Sequence, residues 1–282
     1  MLIKISKITI FFILNGFIAA CTTASIQFEQ NAQKLGFRQQ IVQGTPFRHT
    51  LFLNKSPKKE KPSSILHVYL GGDGTPWIQN RYPAIDPTPR QSIMLKLMQM
   101  DNVESLYLGR PCYHQTNETQ NSNCRRALWT EKRYAKIVIE SMAMALQSYL
   151  QKRHQPKLVL LGFSGGGTLA MLLAPYFPET IAVVTLAGNL DIEAWTQHHH
   201  YSPLTGSLNP AKQKILASSI QQIHLWGEND QNIRDWMIKP VIKRQKRAKF
   251  IAIPNANHHC CWDQQWLNVL KKINTTNRLG SY

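Results

Sequence analysis

The sequence predicts an α/β fold in which a mostly parallel central sheet is flanked by helices. Between residues 64 and 274, apolar runs of strand length alternate with longer segments whose apolar spacing is helical. Several short runs are apolar almost throughout, as expected for strands that are buried on both faces. With 43% hydrophobic residues in 282, the chain can bury the core of one such domain.

Each element of this architecture has its own pattern. Strands are predicted at residues 65–70, 103–108, 158–161, 181–186, 223–226 and 250–253, and an antiparallel pair is predicted before them at 37–42 and 47–53. Helical spacing occurs at 129–150 and 168–176. Residues 74–89 and 188–210 lack periodicity, and we expect them on the rim that carries the functional site. Residues 188–217 are expected to form a cap-like insertion.

The amino terminus has the pattern of an export leader. Lys4 and Lys7 precede an uncharged, mostly apolar stretch at residues 8–18, which is too short to span a bilayer comfortably. Small residues follow it, directly before Cys21. The pattern therefore predicts that the chain is exported from the cytoplasm.

The residues Ile18-Ala19-Ala20-Cys21 resemble the lipobox of bacterial lipoproteins, in which the cysteine thiol carries diacylglycerol and the leader is removed before it. The resemblance implies a signal peptide at residues 1–20, one mature domain at 21–282 and attachment to a membrane of the cell envelope. Because Thr22 is not acidic, it favours the outer membrane in a host that has one. An ordinary cleaved signal peptide or an uncleaved anchor is the alternative.

Four further cysteines follow Cys21, an even number in a compartment where disulfides persist. We favour Cys112 with Cys124, which closes a short loop, and consequently Cys260 with Cys261, a bond between neighbours that would stiffen the backbone. Free thiols at the second pair are the alternative.

The formal charge is +17, with basic clusters at residues 55–61 and 239–249 and at Lys271 and Lys272. Such a charge often indicates nucleic-acid binding, but an exported lipoprotein rarely meets nucleic acid. The charge is better explained by attraction to anionic lipid headgroups, or by a basic solvated surface.

A strand-like apolar run leads into Gly162-Phe163-Ser164-Gly165-Gly166, and a helical pattern follows it. In this context Gly-x-Ser-x-Gly predicts a nucleophilic serine on a sharp turn between strand and helix. Side chains two residues to either side would collide at such a turn, which explains Gly162 and Gly166. The helix start at Gly165 would direct its free N–H groups at an oxyanion.

A serine hydroxyl needs a histidine base that a carboxylate orients, in the chain order serine, acid, histidine. Asp230 follows the strand predicted at 223–226 and is the candidate acid, with Glu228 and Asp191 as alternatives. His258 and His259 follow the last predicted strand and are the candidate bases.

No metal or cofactor is expected. The run at residues 258–261 contains two histidines and two cysteines, but four consecutive residues cannot readily close a tetrahedral shell around one zinc ion. The run His198-His199-His200 is expected to be solvated rather than to bind a ligand.

A second oxyanion donor is expected from the glycine-rich loop that follows the strand at 65–70. By position, the candidates are the backbone N–H groups of Asp73 and Gly72, in addition to that of Gly165. The loop resembles the His-Gly loop of esterases, but Gly71 stands where histidine often occurs, which leaves the donor open.

The chain resembles bacterial α/β-hydrolase lipoproteins of uncharacterised substrate. The matching stretches are residues 72–77, 109–112, 124, 129–130, 162–166, 187–191, 202–204, 207–210 and 258–262. The resemblance implies the α/β-hydrolase fold. It also favours His258 over His259, because the presumed base of that group lies two places before the paired cysteines.

Together these features predict a serine hydrolase of the carboxylesterase or lipase type that cleaves an acyl ester or thioester through an acyl-enzyme on Ser164. It would act at the cell envelope, held to the membrane by lipid on Cys21. A non-catalytic envelope binding protein on the same scaffold, or an acyltransferase that uses the same three residues, is the alternative.

Overall fold

The computed structural model describes residues 22–54, 64–115, 121–151, 153 and 156–278. The predicted leader, Cys21 and the basic cluster at 55–61 lie outside these residues. Within the described part, no helix has the length and apolar character needed to cross a membrane.

The predicted central sheet is confirmed. The strands are β1 Arg38–Gly44, β2 Phe47–Leu53, β3 Ile65–Leu70, β4 Trp77–Ile78, β5 Tyr82–Pro83, β6 Ser105–Leu108, β7 Lys157–Phe163, β8 Thr180–Leu186, β9 Gln221–Gly227 and β10 Ala248–Ile253. Eight of them form the sheet in the order β1-β2-β6-β3-β7-β8-β9-β10. The pairs β1–β2 and β2–β6 are antiparallel, and the other neighbours are parallel. A separate two-stranded hairpin consists of β4 and β5.

Helices cover both faces of the sheet because side chains alternate along each strand. They are α1 Ala24–Lys34, α2 Ile93–Gln99, α3 Lys136–Leu150, α4 Gly165–Leu173, α5 Ile192–His198, α6 Asp235–Arg244 and α7 Asp263–Arg278. Leu158 and Leu160 of β7 pack with α3, α4 and α6, whereas Val159 and Leu161 pack with α1, α2 and α7. The continuous apolar character of β7 thus reflects two cores.

Some predicted boundaries were wrong. Helix α3 begins at Lys136 rather than at residue 129, since residues 129–134 form turns. The indole Nε1 of Trp129 donates to the Ala84 carbonyl, and the guanidinium of Arg133 turns back to the Thr130 carbonyl. Helix α4 begins at Gly165 and ends at Leu173, where a 3₁₀ turn, Ala174–Tyr176, continues the chain.

Helix α1 and the β4–β5 hairpin were not predicted from the sequence. Helix α1 buries Phe28 and Ala32 against the sheet, and the hydroxyl of Thr23, directly before the helix, accepts the Ile26 N–H. The hairpin turns at Gln79 and Asn80, which both have positive φ, and the Arg81 N–H donates to the Ile78 carbonyl across this turn.

The segment 188–217, expected as a cap-like insertion, contains α5 and the 3₁₀ turn Pro210–Lys212. Leu204 and Leu208 pack against the core, and the Ser207 hydroxyl accepts the Tyr134 N–H. A covering role for this segment over a substrate stays a prediction.

The structure joins Cys112 to Cys124 and Cys260 to Cys261, the pairing favoured from the sequence. The first bond lies in a small cluster with Phe47, Tyr113 and Trp129.

Trp266 attaches α7 to the sheet. It is fully buried, its indole Nε1 donates to the Leu97 carbonyl at 2.9 Å, and its ring packs edge-on against Tyr69. We expect Trp266→Ala to lower the free energy of unfolding by about 3–5 kcal/mol because it leaves a cavity. The control Trp236→Ala, at a ring that is 51% exposed, should stay within about 0.5 kcal/mol in the same denaturant titration. Equal effects would contradict the assigned packing.

Candidate active site

Ser164 occupies the turn between β7 and α4. Its backbone has φ 53° and ψ −119°, a conformation that residues other than glycine rarely adopt. The neighbouring strand holds it there, because the Ser164 N–H donates to the Leu186 carbonyl and the Asn189 N–H donates to the Ser164 carbonyl. The serine hydroxyl is therefore fixed at the carboxyl edge of the sheet.

The glycines around Ser164 are sterically required, as the sequence predicts. A Cβ on Gly162 would lie 2.1 Å from the Gly166 carbonyl oxygen, and a Cβ on Gly166 would lie 2.1 Å from the Leu70 carbonyl oxygen. Strand β7, helix α4 and the end of β3 approach one another so closely that no side chain fits between them.

His258 and Asp230 meet Ser164 from two other strand ends. His258 follows β10, and its Nε2 lies 3.1 Å from the Ser164 Oγ. Asp230 follows β9 and is fully buried; its Oδ2 lies 2.8 Å from the His258 Nδ1. The Asp230 Oδ1 accepts the N–H groups of Asn232 and Ile233, which fix the carboxylate.

The alternative acids and the alternative base do not join this arrangement. Glu228 is exposed, and the Asp191 carboxylate caps α5 by accepting the N–H groups of Glu193 and Ala194. His259 is also largely exposed. The partial desolvation of its imidazole, together with the neighbouring His258, lowers its pKa.

The predicted oxyanion residues lie together. A Cβ on Gly165 would meet the Asp73 Oδ1 at 2.0 Å, and a Cβ on Gly72 would lie 3.2 Å from the Phe163 ring. The loop after β3 thus lies against the start of α4. Which of the Gly72 and Asp73 N–H groups would serve as second donor stays a prediction.

The Asp73 carboxylate holds that loop in place. It pairs with Arg110 at 2.7 Å and Arg133 at 2.9 Å and accepts the Tyr134 hydroxyl at 2.6 Å. The Tyr113 hydroxyl donates to the Asp73 carbonyl. Arg110 therefore anchors the loop through the Asp73 carboxylate.

Burial alone would raise the pKa of the Asp73 carboxyl. The two guanidinium groups and the Tyr134 hydroxyl outweigh it and lower that pKa to about 2. Two cations share one carboxylate here, so this buried cluster carries a net positive charge.

Asn232 is a site residue that the sequence reasoning missed. Its side-chain Nδ2 lies 3.0 Å from the His258 Nε2, and its Oδ1 accepts the Trp195 indole N–H at 3.1 Å. Because indole only donates, the Asn232 amide must direct its NH₂ group at His258. The Nε2 atom is then an acceptor, which matches an imidazole with its proton on Nδ1 towards Asp230. The only feature of the sequence that could have indicated this role is that Asn232 is a short polar residue two places after the candidate acid.

In the histidine run at the end of α5, His198 and His200 are exposed, as expected for a solvated run, whereas His199 is half-buried. The His199 Nε2 hydrogen-bonds with the Asn232 carbonyl at 2.8 Å, and its ring stacks on Tyr201. His198 packs edge-on against Trp236. Among the described residues, no group of three or more histidine, cysteine or acidic side chains is placed to hold a metal ion.

The sequence matches the dienelactone hydrolase family over residues 105–266, more than half of the chain. The chain belongs to the dienelactone hydrolase family. The matched region contains Ser164, Asp230 and His258, and family membership makes the protein a hydrolase. No curated protein has significant sequence similarity to this chain.

Solved structures share the fold of this dienelactone hydrolase family member. A candidate lipase from Acinetobacter baumannii has a TM-score of 0.58 at 14% identity, covering 90% of this chain and 97% of that chain. An αβ serine hydrolase homologue from Coxiella burnetii has a TM-score of 0.54 at 11% identity, covering 83% and 94%. A serine hydrolase without a lid from Xanthomonas campestris has a TM-score of 0.51 at 8% identity, covering 86% and 94%. At these identities they establish the α/β-hydrolase fold alone.

Replacing Asp73 by asparagine tests the loop anchor. The Asp73→Asn variant leaves two buried guanidinium groups without their carboxylate, so we expect the free energy of unfolding at pH 7 to fall by about 3–5 kcal/mol. Glu193→Gln, which removes an exposed pair with Lys212, should change it by less than about 1 kcal/mol.

The Asp73 anchor also predicts how the free energy of unfolding changes at acidic pH. A carboxyl whose pKa falls from 3.8 to about 2 on folding stabilises the native state above pH 4, by about 2 kcal/mol, and loses this contribution as the pH falls towards 2. Denaturant titrations should show this loss in the wild type and lack it in Asp73→Asn. The same acid dependence in both proteins would contradict the assignment.

The Asn232 contact predicts a marked difference between two variants. In Asn232→Asp a carboxylate faces the His258 Nε2, which favours a protonated imidazole and deprives Ser164 of its base. We expect kcat/KM for a soluble ester to fall by about 10–100-fold at pH 7 and to recover in part at higher pH. Asn232→Ala, which removes the amide without adding charge, should lose less and show no such recovery. Identical pH profiles would refute the role assigned to the amide.

Proposed function

We propose that this hydrolase cleaves an acyl ester or thioester through a covalent acyl-enzyme on Ser164. One observation carries the proposal: the His258 imidazole lies between the Ser164 Oγ at 3.1 Å and the Asp230 Oδ2 at 2.8 Å. These are the distances that a nucleophile, its base and the group that orients the base require.

In the proposed first half-reaction the Ser164 Oγ attacks the acyl carbonyl while the His258 Nε2 takes the hydroxyl proton. The buried Asp230 carboxylate stabilises the imidazolium, and its hydrogen bonds to two backbone N–H groups keep it in place. His258 then gives the proton to the departing alcohol or thiol, so that the C–O or C–S bond breaks and the acyl group stays on Ser164.

The oxyanion of the tetrahedral intermediate would form beside the start of α4. The Gly165 N–H, at the first position of the helix, has no intrahelical acceptor. A second N–H would come from the Gly72–Asp73 loop. Arg110 and Arg133 would act indirectly, by holding the Asp73 carboxylate and with it the loop that supplies the second donor.

In the second half-reaction, a water molecule gives up a proton to His258 and attacks the acyl carbonyl, which regenerates the Ser164 hydroxyl and releases the acid. An acyltransferase would differ only in the acceptor, since an alcohol or amine would replace the water molecule. Product analysis with and without an added alcohol distinguishes the two reactions.

We also propose that the reaction occurs at the bacterial cell envelope, with lipid on Cys21. The leader pattern and the lipobox-like residues before Cys21 support the location. The two disulfides of the structure suit an oxidising compartment. Mass spectrometry of the mature amino terminus tests this part separately.

Kinetics of single variants test the catalytic proposal. With a short p-nitrophenyl ester, Ser164→Ala and His258→Ala should each lower kcat by at least about 10³-fold, and the double variant should lose little more, because the residues act as a unit. His259→Ala, at the exposed neighbour of the base, is the control and should stay within about threefold. Turnover that survives in Ser164→Ala would exclude the mechanism, and a folded wild type without turnover would favour a binding protein.

A further inference from the structure

Four of the large apolar side chains that are exposed in the described structure lie in the β4–β5 hairpin or directly after it. Trp77 is 37% exposed, Ile78 50%, Tyr82 55% and Ile85 87%. We call these four side chains the hairpin patch. Exposed apolar side chains that occur this close together, within nine residues, are typical of a surface that contacts another molecule.

Hydrogen bonds attach the base of the hairpin to the domain. The Ala84 N–H donates to the Pro76 carbonyl, and the Trp129 indole donates to the Ala84 carbonyl at 3.1 Å. Trp129 itself packs beside the Cys112–Cys124 disulfide. The apolar side chains of the tip are therefore presented on a fixed support.

The amino-terminal segment contacts residues that directly follow the hairpin patch. The Ser25 N–H donates to the Asp86 Oδ2 at 2.7 Å, and the Ser25 hydroxyl lies 3.0 Å from that of Thr88. Asp86 directly follows Ile85. Because Cys21 precedes Ser25 by only four residues, the chain can place it at most about 14 Å from this contact.

The hairpin is linked directly to the active-site loop. It begins four residues after Asp73, whose carboxylate lies against the start of α4 beside Ser164. Four residues span at most about 14 Å, so a surface that contacts the hairpin patch would lie close to the loop that borders Ser164.

The charges around the patch suit an anionic surface. Residues 74–92 contain Arg81, Arg90 and a single acidic residue, Asp86, whose carboxylate is occupied by the N–H groups of Ser25 and Thr88. The Arg81 guanidinium lies 5.4 Å from the centre of the Tyr82 ring, at the exposed tip. Aromatic, aliphatic and arginine side chains at one tip are the composition of interfacial membrane contacts.

We propose that the hairpin patch inserts into the interfacial region of an anionic lipid bilayer and turns the Ser164 edge of the sheet towards that surface. The inference rests on the proposed lipid anchor at Cys21, which would hold the patch against the same membrane. One lipid anchor and one inserted hairpin are then two linked contacts that strengthen each other. The substrate class that this geometry favours is an acyl ester located at a lipid surface.

Vesicle binding of the mature chain without lipid, residues 22–282, tests the patch by itself, since this chain keeps every described residue. We expect binding to vesicles of phosphatidylcholine with about one quarter phosphatidylglycerol, and weaker binding without the anionic lipid. The double variant Ile78→Ser/Ile85→Ser should bind at least about tenfold more weakly. Ile137→Ser and Leu267→Ser, at side chains 45% and 48% exposed on α3 and α7, are matched controls and should bind as the wild type does.

Undiminished vesicle binding by the double variant would overturn the inference. If the patch instead pairs two copies of the chain, sedimentation will show a dimer that the double variant loses without any vesicle binding, which also overturns it. Turnover of a soluble ester, measured on the same samples, should be unchanged in the double variant. Absent turnover in all samples would refute the proposed catalysis while the vesicle result still decides the surface.

The full lipidated chain provides the second measurement. On vesicles that contain brominated lipid, the quenched part of the tryptophan fluorescence should disappear in Trp77→Phe and persist in Trp236→Phe, which alters an exposed indole on α6. Equal quenching in the wild type and Trp77→Phe would show that the patch stays outside the bilayer.

Discussion

The close approach of three backbone segments at Ser164 is the constraint on which the site depends. The end of β3, the end of β7 and the first turn of α4 approach until a single Cβ at Gly162 or Gly166 would lie within 2.1 Å of a carbonyl oxygen. This packing forces Ser164 to a positive φ and leaves its hydroxyl at the edge of the sheet. Hydrogen bonds between the Ser164 backbone and those of Leu186 and Asn189 stabilise this conformation.

The parallel sheet then brings the other groups to the same edge. Strands β3, β7, β9 and β10 run in one direction, so the loops that follow them contain Asp73, Ser164, Asp230 and His258 at neighbouring positions. Each of these side chains is fixed by its own partners: two arginines hold Asp73, two backbone N–H groups hold Asp230, and Trp195 orients the Asn232 amide against His258. The site is therefore organised before any substrate binds.

Sequence patterns predicted the sheet and the serine, acid and histidine positions because these depend on local periodicity and on the order of residues along the chain. They did not predict the contacts made across the chain. Arg133 was assigned to a helix, but it lies before the start of α3 and pairs with Asp73, sixty residues away. The role of Asn232 also depends on Trp195 and His258, which only the fold brings together.

The most direct test of the account is the covalent labelling of Ser164. A fluorophosphonate should react in a one-to-one ratio with the folded protein, and mass spectrometry should place the adduct on the peptide that contains Ser164. Labelling should be absent in Ser164→Ala and strongly slowed in His258→Ala, because the serine then lacks its base. A folded wild type that does not react, or an adduct of equal yield in Ser164→Ala, would contradict the assignment of Ser164 as the nucleophile.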